Sequence, residues 1–89
     1  MSVLPLKHPI NIGKTTIDRL TFRDHAIAED LLAFDERGPN KQTITLIASL
    51  TGTDEVLIKQ LHVDDYRAAD ALASKLISPE ADEKNAQES

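Results

Sequence analysis

The sequence predicts an α+β fold: an N-terminal β-hairpin packed on a bundle of about four short helices, followed by a disordered acidic C-terminal tail. Three observations predict this class. Residues 3–23 alternate apolar and polar side chains around a glycine, and residues 24–77 repeat apolar side chains at helical spacing. Residues 78–89 contain no large apolar side chain. The predicted organisation is a single domain over residues 1–77 and a tail over residues 78–89.

The composition is that of one small domain with an aliphatic core. Of the 89 residues, 40% are hydrophobic and only 3% aromatic, so Leu, Ile, Val and Ala must fill the interior. A core of this size is modest, and self-association often stabilises such domains, which leaves homo-oligomerisation open. Because the chain has no cysteine, disulfides and thiolate metal sites are excluded.

The net charge of −5 argues against a nucleic-acid partner. Residues 78–89 contribute −3 from four carboxylates and one lysine, so residues 1–77 carry −2. A domain that binds duplex DNA needs several Lys or Arg side chains facing phosphates. The first residues do not form a signal peptide, and no run approaches the roughly 20 apolar residues of a membrane span. The sequence therefore predicts a soluble protein that binds neither nucleic acid nor membrane.

Two strands, over residues 3–12 and 15–23, are predicted with Gly13 in the turn between them. Prolines on the outward face of the first strand cannot donate to a ladder, which predicts an edge strand or a bend at Pro9. In the second strand the inward-facing residues change parity, which predicts a bulge near Asp18. Such a hairpin is marginal alone and needs a helix against one face.

The first helix is predicted over residues 24–36, with Asp24 as its cap. Ile27, Leu31 and Phe34 follow at i, i+4 and i+7 and form its apolar face. The Arg-Gly-Pro-Asn segment at residues 37–40 predicts that the chain stops being helical there.

Residues 44–61 predict a helix, a tight turn and another helix in one run. Apolar residues recur at helical spacing before Gly52, the residue that most easily takes the left-handed conformation ending a helix. Thr53 is the predicted cap of the helix that follows. A fourth helix is predicted to begin at Asp64-Asp65, where carboxylates suit the helix dipole, and to end at the Ser-Pro pair after residue 77. Its predicted apolar face consists of Tyr66, Ala69, Ala73 and Leu76.

The sequence predicts no catalytic residue, no metal site and no cofactor. His8, His25 and His62 fall in separate elements and lack the close spacing of zinc ligands. This favours surface or cap-adjacent histidines. Ser49 has neither a His–Asp arrangement nor the glycine context of a nucleophile. The chain is therefore predicted not to be an enzyme.

Short segments along the chain share their order and spacing with one known family. They are residues 6–10 (LKHPI), 20–23 (LTFR), 30–31 (DL), 46–52 (LIASLTG) and 65–66 (DY). Together they resemble the Mu-like phage tail assembly chaperone family over residues 4–77. The resemblance implies a non-enzymatic assembly factor of the host bacterial cytoplasm. It also implies binding to the tape measure protein, recruitment of tail tube subunits around it, and absence from the finished virion.

A partner-binding groove is predicted from apolar residues of the last three helices, because a tape measure chain exposes apolar helical stripes before assembly. The predicted residues are Ile44, Ile47, Leu50, Leu57, Leu61, Tyr66 and Ala73. A role in the core explains the same residues equally well, and a Leu57→Glu exchange that unfolds the protein favours the core.

Two other functions remain open at this point. One is a small DNA-binding regulator that uses the helix–turn–helix of residues 44–61, although Asp54 and Glu55 occupy polar positions where such a unit needs basic or amide side chains. The other is a minor tail structural protein that stays in the virion.

Overall fold

The computed structural model describes residues 1–77, which form an antiparallel hairpin followed by four helices. The elements are β1 (Ser2–Ile12), β2 (Thr15–Phe22), a 3₁₀ helix (Ala28–Asp35), α1 (Pro39–Thr51), α2 (Glu55–Ile58) and α3 (Val63–Ile77). The predicted α+β class and its hairpin are confirmed. The predicted tail over residues 78–89 lies outside the described residues. Within residues 1–77, no helix combines the length and apolar character needed to cross a bilayer.

The hairpin contains a large irregularity in β1. Between the pairs Pro5–Arg19 and Ile10–Ile17, four residues of β1 lie opposite a single residue of β2, Asp18. The bulge was therefore predicted at the right position along β2, but the extra residues belong to β1. Proline cannot donate to the ladder, so the proline-containing strand is the one that can leave it at low cost.

Asp65 of α3 binds the backbone that this irregularity leaves without ladder partners. Its carboxylate oxygens accept hydrogen bonds from the N–H groups of Lys7 and His8, each at 2.9 Å. Asp65 is only 3% exposed, so these bonds satisfy groups in a partly buried junction. The prediction correctly placed Asp65 at a helix start but missed that its side chain fixes β1 against α3.

We expect Asp65→Asn to destabilise the protein most at neutral pH. Burial raises the pKa of Asp65, but hydrogen bonds from Lys7 and His8 outweigh burial and leave that pKa below its usual range. A depressed folded-state pKa means that the stabilisation is present above the pKa of an unfolded Asp and is lost as the pH falls. Asn should lower the free energy of unfolding by about 2 kcal/mol near pH 7, and by less near pH 3. Urea unfolding at both pH values measures this, with exposed Asp35→Asn as the control, and equal losses at both pH values would contradict it.

The same junction brings two histidines into contact. The rings of His8 and His62 stack with centroids 3.8 Å apart and an interplanar angle of 20°. His62 immediately precedes α3, and its Nδ1 accepts the N–H of Asp64 at 3.1 Å. The cap-adjacent position predicted for His62 is confirmed. The contact between the two rings could not be predicted from the sequence. His8 and His62 are more than 50 positions apart, and they meet only because β1 packs on α3.

Local signals determine where α1 begins and ends and where α2 begins. The Gly-Pro pair that was predicted as a stop also starts α1, with Gly38 before the helix and Pro39 at its first position, where a missing N–H costs nothing. Gly52 has a φ of 67° and ends α1 in the left-handed conformation, as predicted. The cap of α2 is Asp54, which accepts the Val56 N–H at 2.9 Å, and the predicted role of Thr53 was wrong.

One face of the hairpin packs on α1 and α3 to form the core. Two of the four alanines of α3, Ala69 and Ala73, are fully buried and let the helix approach closely, as predicted. The apolar residues buried in the core are Leu6, Ile10, Leu20, Phe22, Ala33, Leu46, Ile47, Ala48, Leu50, Ile58, Ala69 and Ala73.

Candidate partner-binding surface

The 3₁₀ helix turns the predicted apolar face of the first helix outward. An α-helix with Ile27, Leu31 and Phe34 facing the core was predicted, and this was wrong. The segment is a 3₁₀ helix, and the residues that face inward are Asp30 and Ala33, which are 0% and 1% exposed. Residues three apart align in a 3₁₀ helix, so burying this pair exposes the larger apolar side chains on either side.

Asp30 is buried because it has partners inside the fold. Its carboxylate accepts hydrogen bonds from the Arg23 guanidinium at 2.6 Å, the Ser49 hydroxyl at 2.5 Å and the Ile27 N–H at 2.7 Å. Arg23 also donates to the Ser49 carbonyl at 3.0 Å. Burial raises the pKa of Asp30, but these hydrogen bonds outweigh it and leave that pKa below its usual range. The network ties the residue after β2 and the last turn of α1 to the 3₁₀ helix.

Four large apolar side chains of this segment are exposed together. The exposed fractions are 44% for Ile27, 53% for Leu31, 60% for Leu32 and 47% for Phe34. We call these four residues the 27–34 face. Single exposed leucines are normal on soluble proteins, but four large apolar side chains within eight residues are a concentration of the kind found at interaction sites.

Three shallow grooves border the 27–34 face. One of about 500 Å³ lies beside Ile27 and Leu31 and reaches Ile77 at the end of α3. A second, of about 380 Å³, runs beside Leu32 towards α1, and a third, of about 280 Å³, lies beside Phe34. The exposed side chains therefore stand between concave surfaces, and a partner lying over them can insert its own side chains into the grooves.

Each groove is lined by at least one carboxylate. Asp24 lines the first, Glu29 the second and Asp70 the third, and among residues 1–77 no Lys or Arg lines any of the three. Asp24, which was predicted to cap the first helix, pairs instead with the amino group of Met1. The arrangement favours a partner that presents apolar side chains flanked by Lys or Arg.

The seven residues predicted to form a groove lie elsewhere, and none lines the three grooves. Ile47, Leu50 and Ala73 are at most 1% exposed and belong to the core. The other four are half-buried: Ile44, Leu57, Leu61 and Tyr66. Their role in partner binding stays a prediction. The sequence did contain one signal against the predicted helix. Asp30 lies three residues after Ile27 and four before Phe34, so an α-helix that buries that face also buries a carboxylate.

One family model matches almost all of the described chain. Its description is phage tail assembly chaperone proteins E, or 41 or 14, and the match covers residues 3–78. Searches of the curated proteins and of the solved structures each returned no match. The family predicted from the sequence segments is thus confirmed, over nearly the same residues.

Proposed function

This chain belongs to the phage tail assembly chaperone family, and from that membership we propose that it binds the tape measure protein before the tail is built. It keeps the long tape measure chain soluble in the host bacterial cytoplasm and assists the assembly of tail tube subunits around it. It then leaves, and is absent from the finished virion. The observation that supports this proposal best is the exposed, acid-rimmed 27–34 face.

A tape measure chain is a chemically suitable partner for this face. A long helical protein that has not yet been enclosed by a tube exposes apolar stripes along its helices. An amphipathic helix laid over Leu31 and Leu32 would remove apolar surface from water on both sides, in the helix-in-groove mode. The free energy of this burial is available only while the partner is unassembled, which is the condition under which a chaperone must bind.

The charge of the grooves also supports the tape measure protein as the partner. Glu29 and Asp70 line two of the grooves, where a Lys or Arg beside an apolar stripe would meet them. The net charge of −5 keeps the complex of chaperone and apolar chain soluble. The residues predicted from the sequence to bind a partner remain a second candidate surface, accessible at the half-buried Ile44, Leu57, Leu61 and Tyr66.

The alternative of a DNA-binding regulator receives little support from the geometry. The second helix of the predicted helix–turn–helix, α2, is only four residues long, Glu55–Ile58, and Asp54 precedes it. A recognition helix needs a longer exposed face with basic or amide side chains. The family is in general non-catalytic, which agrees with the absence of any predicted catalytic residue.

Co-expression with the tape measure protein of the same phage tests the proposal. We expect the tape measure protein to move from the insoluble to the soluble fraction and to co-purify with this chain. An insoluble, unbound tape measure protein in the presence of folded chaperone would contradict the function. Mass spectrometry of purified particles tests the second part: absence is expected, and stoichiometric presence would favour the minor tail structural protein.

A further inference from the structure

The junction between β1 and α3 groups three side chains that are metal ligands by type. The nitrogen atoms of His8 and His62 and a carboxylate oxygen of Asp64 all lie within 4.8 Å of one another, and all three residues are exposed. We propose that these three residues form a binding site for a divalent transition metal, with Zn²⁺ as its best occupant. The proposal is independent of tail assembly.

The backbone of the site is held in place. Asp65 accepts the N–H of His8 at 2.9 Å, which fixes the strand that carries this ligand. The carbonyl of His62 accepts the Tyr66 N–H at 2.8 Å, which fixes the start of the helix that carries the other two. Binding a metal therefore requires only the ligand side chains to rotate, because hydrogen bonds already hold their backbone. Metal sites depend on such fixed surroundings.

The distances are close to those of a bound ion. Two ligand atoms on one tetrahedral Zn²⁺ lie roughly 3.3 Å apart, because each sits about 2.0–2.1 Å from the metal. Nδ1 of His62 and Oδ2 of Asp64 are already 3.8 Å apart. The His8 ligand atom lies within 4.8 Å of the other two, so binding requires the His8 ring to rotate out of its stack, with water in the fourth position.

The donor set selects the type of metal. Two imidazoles and one carboxylate suit Zn²⁺ and its transition-metal neighbours, whereas Mg²⁺ and Ca²⁺ prefer oxygen ligands alone. Binding costs one hydrogen bond, since Nδ1 of His62 now accepts the Asp64 N–H. That N–H lies at an exposed helix start, where water replaces the lost partner. A bound ion would join β1 to α3 across residues that are far apart in sequence.

Titration of the full chain with ZnCl₂ after treatment with a chelator tests the site. We expect saturation at one equivalent and a rise in Tm that MgCl₂ does not produce. His8→Ala should weaken Zn²⁺ binding at least tenfold. His62→Asn should do the same while keeping a side chain that can cap α3. His25→Ala is the matched control, because His25 is exposed and lies outside the cluster.

Three results would overturn the proposal. The first is wild-type protein that shows no saturable Zn²⁺ binding. The second is unchanged affinity in both His8→Ala and His62→Asn. The third is an equal loss of affinity in His25→Ala, which would indicate unspecific binding to surface histidines. Circular dichroism of each variant shows whether it is folded, and a folded His8→Ala that has lost Zn²⁺ supports the site even where His62→Asn unfolds.

Discussion

Replacing Asp30 with Ala is expected to lower the free energy of unfolding by about 2–4 kcal/mol. The substitution leaves the Ser49 hydroxyl and the Ile27 N–H without their acceptor and removes the carboxylate facing Arg23. The Arg23 side chain is 30% exposed and can turn towards water, which keeps the loss below that of a fully buried ion pair. For a domain of this size, the change corresponds to a decrease in Tm of more than about 10 °C.

Thermal and urea unfolding measure this loss, and a second Asp–Arg pair provides the control. Asp18 accepts from Arg19 at 2.9 Å, but both side chains are more than half exposed. Asp18→Ala should therefore leave the unfolding curve unchanged. Asp30→Asn should fall between Asp30→Ala and wild type, because the amide keeps one acceptor. An Asp30→Ala curve that coincides with that of Asp18→Ala would show that the network does not stabilise the fold.

Local signals in the sequence were sufficient for the hairpin and for the two longer helices. Gly13 and Gly52 both adopt the positive φ predicted from residue type alone, and Ala69 and Ala73 of α3 face the core as their spacing predicts. The 3₁₀ helix could not be predicted in this way. Its apolar residues fit an α-helix, but Asp30 turns inward to Arg23 and to Ser49, and Ser49 belongs to another helix 19 positions away.

The position of the exposed apolar surface could not be predicted from local signals either. The groove was predicted among residues 44–73 because their apolar side chains at helical spacing suit an apolar helical partner. The hairpin and α3 cover Ile47 and Leu50 completely, and the surplus of apolar surface is found instead on the 27–34 face. Which apolar stripe remains uncovered is decided by how the elements pack, and periodicity within one element does not contain that information.

The segments that reveal the family carry the polar residues that hold the fold. Arg23, Asp30 and Ser49 form the network beneath the 27–34 face, and Asp65 fixes β1 on α3. These contacts hold the 3₁₀ helix and the hairpin in place, and Asp30 and Asp65 are themselves buried. The segments shared with the family therefore contain the polar residues that stabilise the fold. Leu32 and Phe34 lie outside those segments and supply much of the exposed apolar surface.

A double substitution of Leu31 and Leu32 with Glu is expected to abolish binding to the tape measure protein and to leave the fold intact. The two side chains are 53% and 60% exposed, so their loss removes little from the core. Bound to an apolar stripe, however, two carboxylates would lose water without gaining a partner. Loss of two such anchors weakens binding by about 100-fold or more. Pull-down with the co-expressed tape measure protein measures binding, and Tm measures folding.

Matched variants make the outcome specific to one surface. Val63→Glu places a carboxylate on a side chain that is 55% exposed at the start of α3. Ile77, which lines the groove beside Ile27 and Leu31, lies at the opposite end of this helix, so Val63→Glu should bind the tape measure protein like wild type. Leu57→Glu tests the groove predicted from the sequence. If Leu57→Glu alone abolishes binding in a folded protein, the partner lies over the half-buried residues of α2 and the 27–34 face is not the site. If only the Leu31, Leu32 double variant loses binding, the surface that the 3₁₀ helix turns outward is where the partner binds.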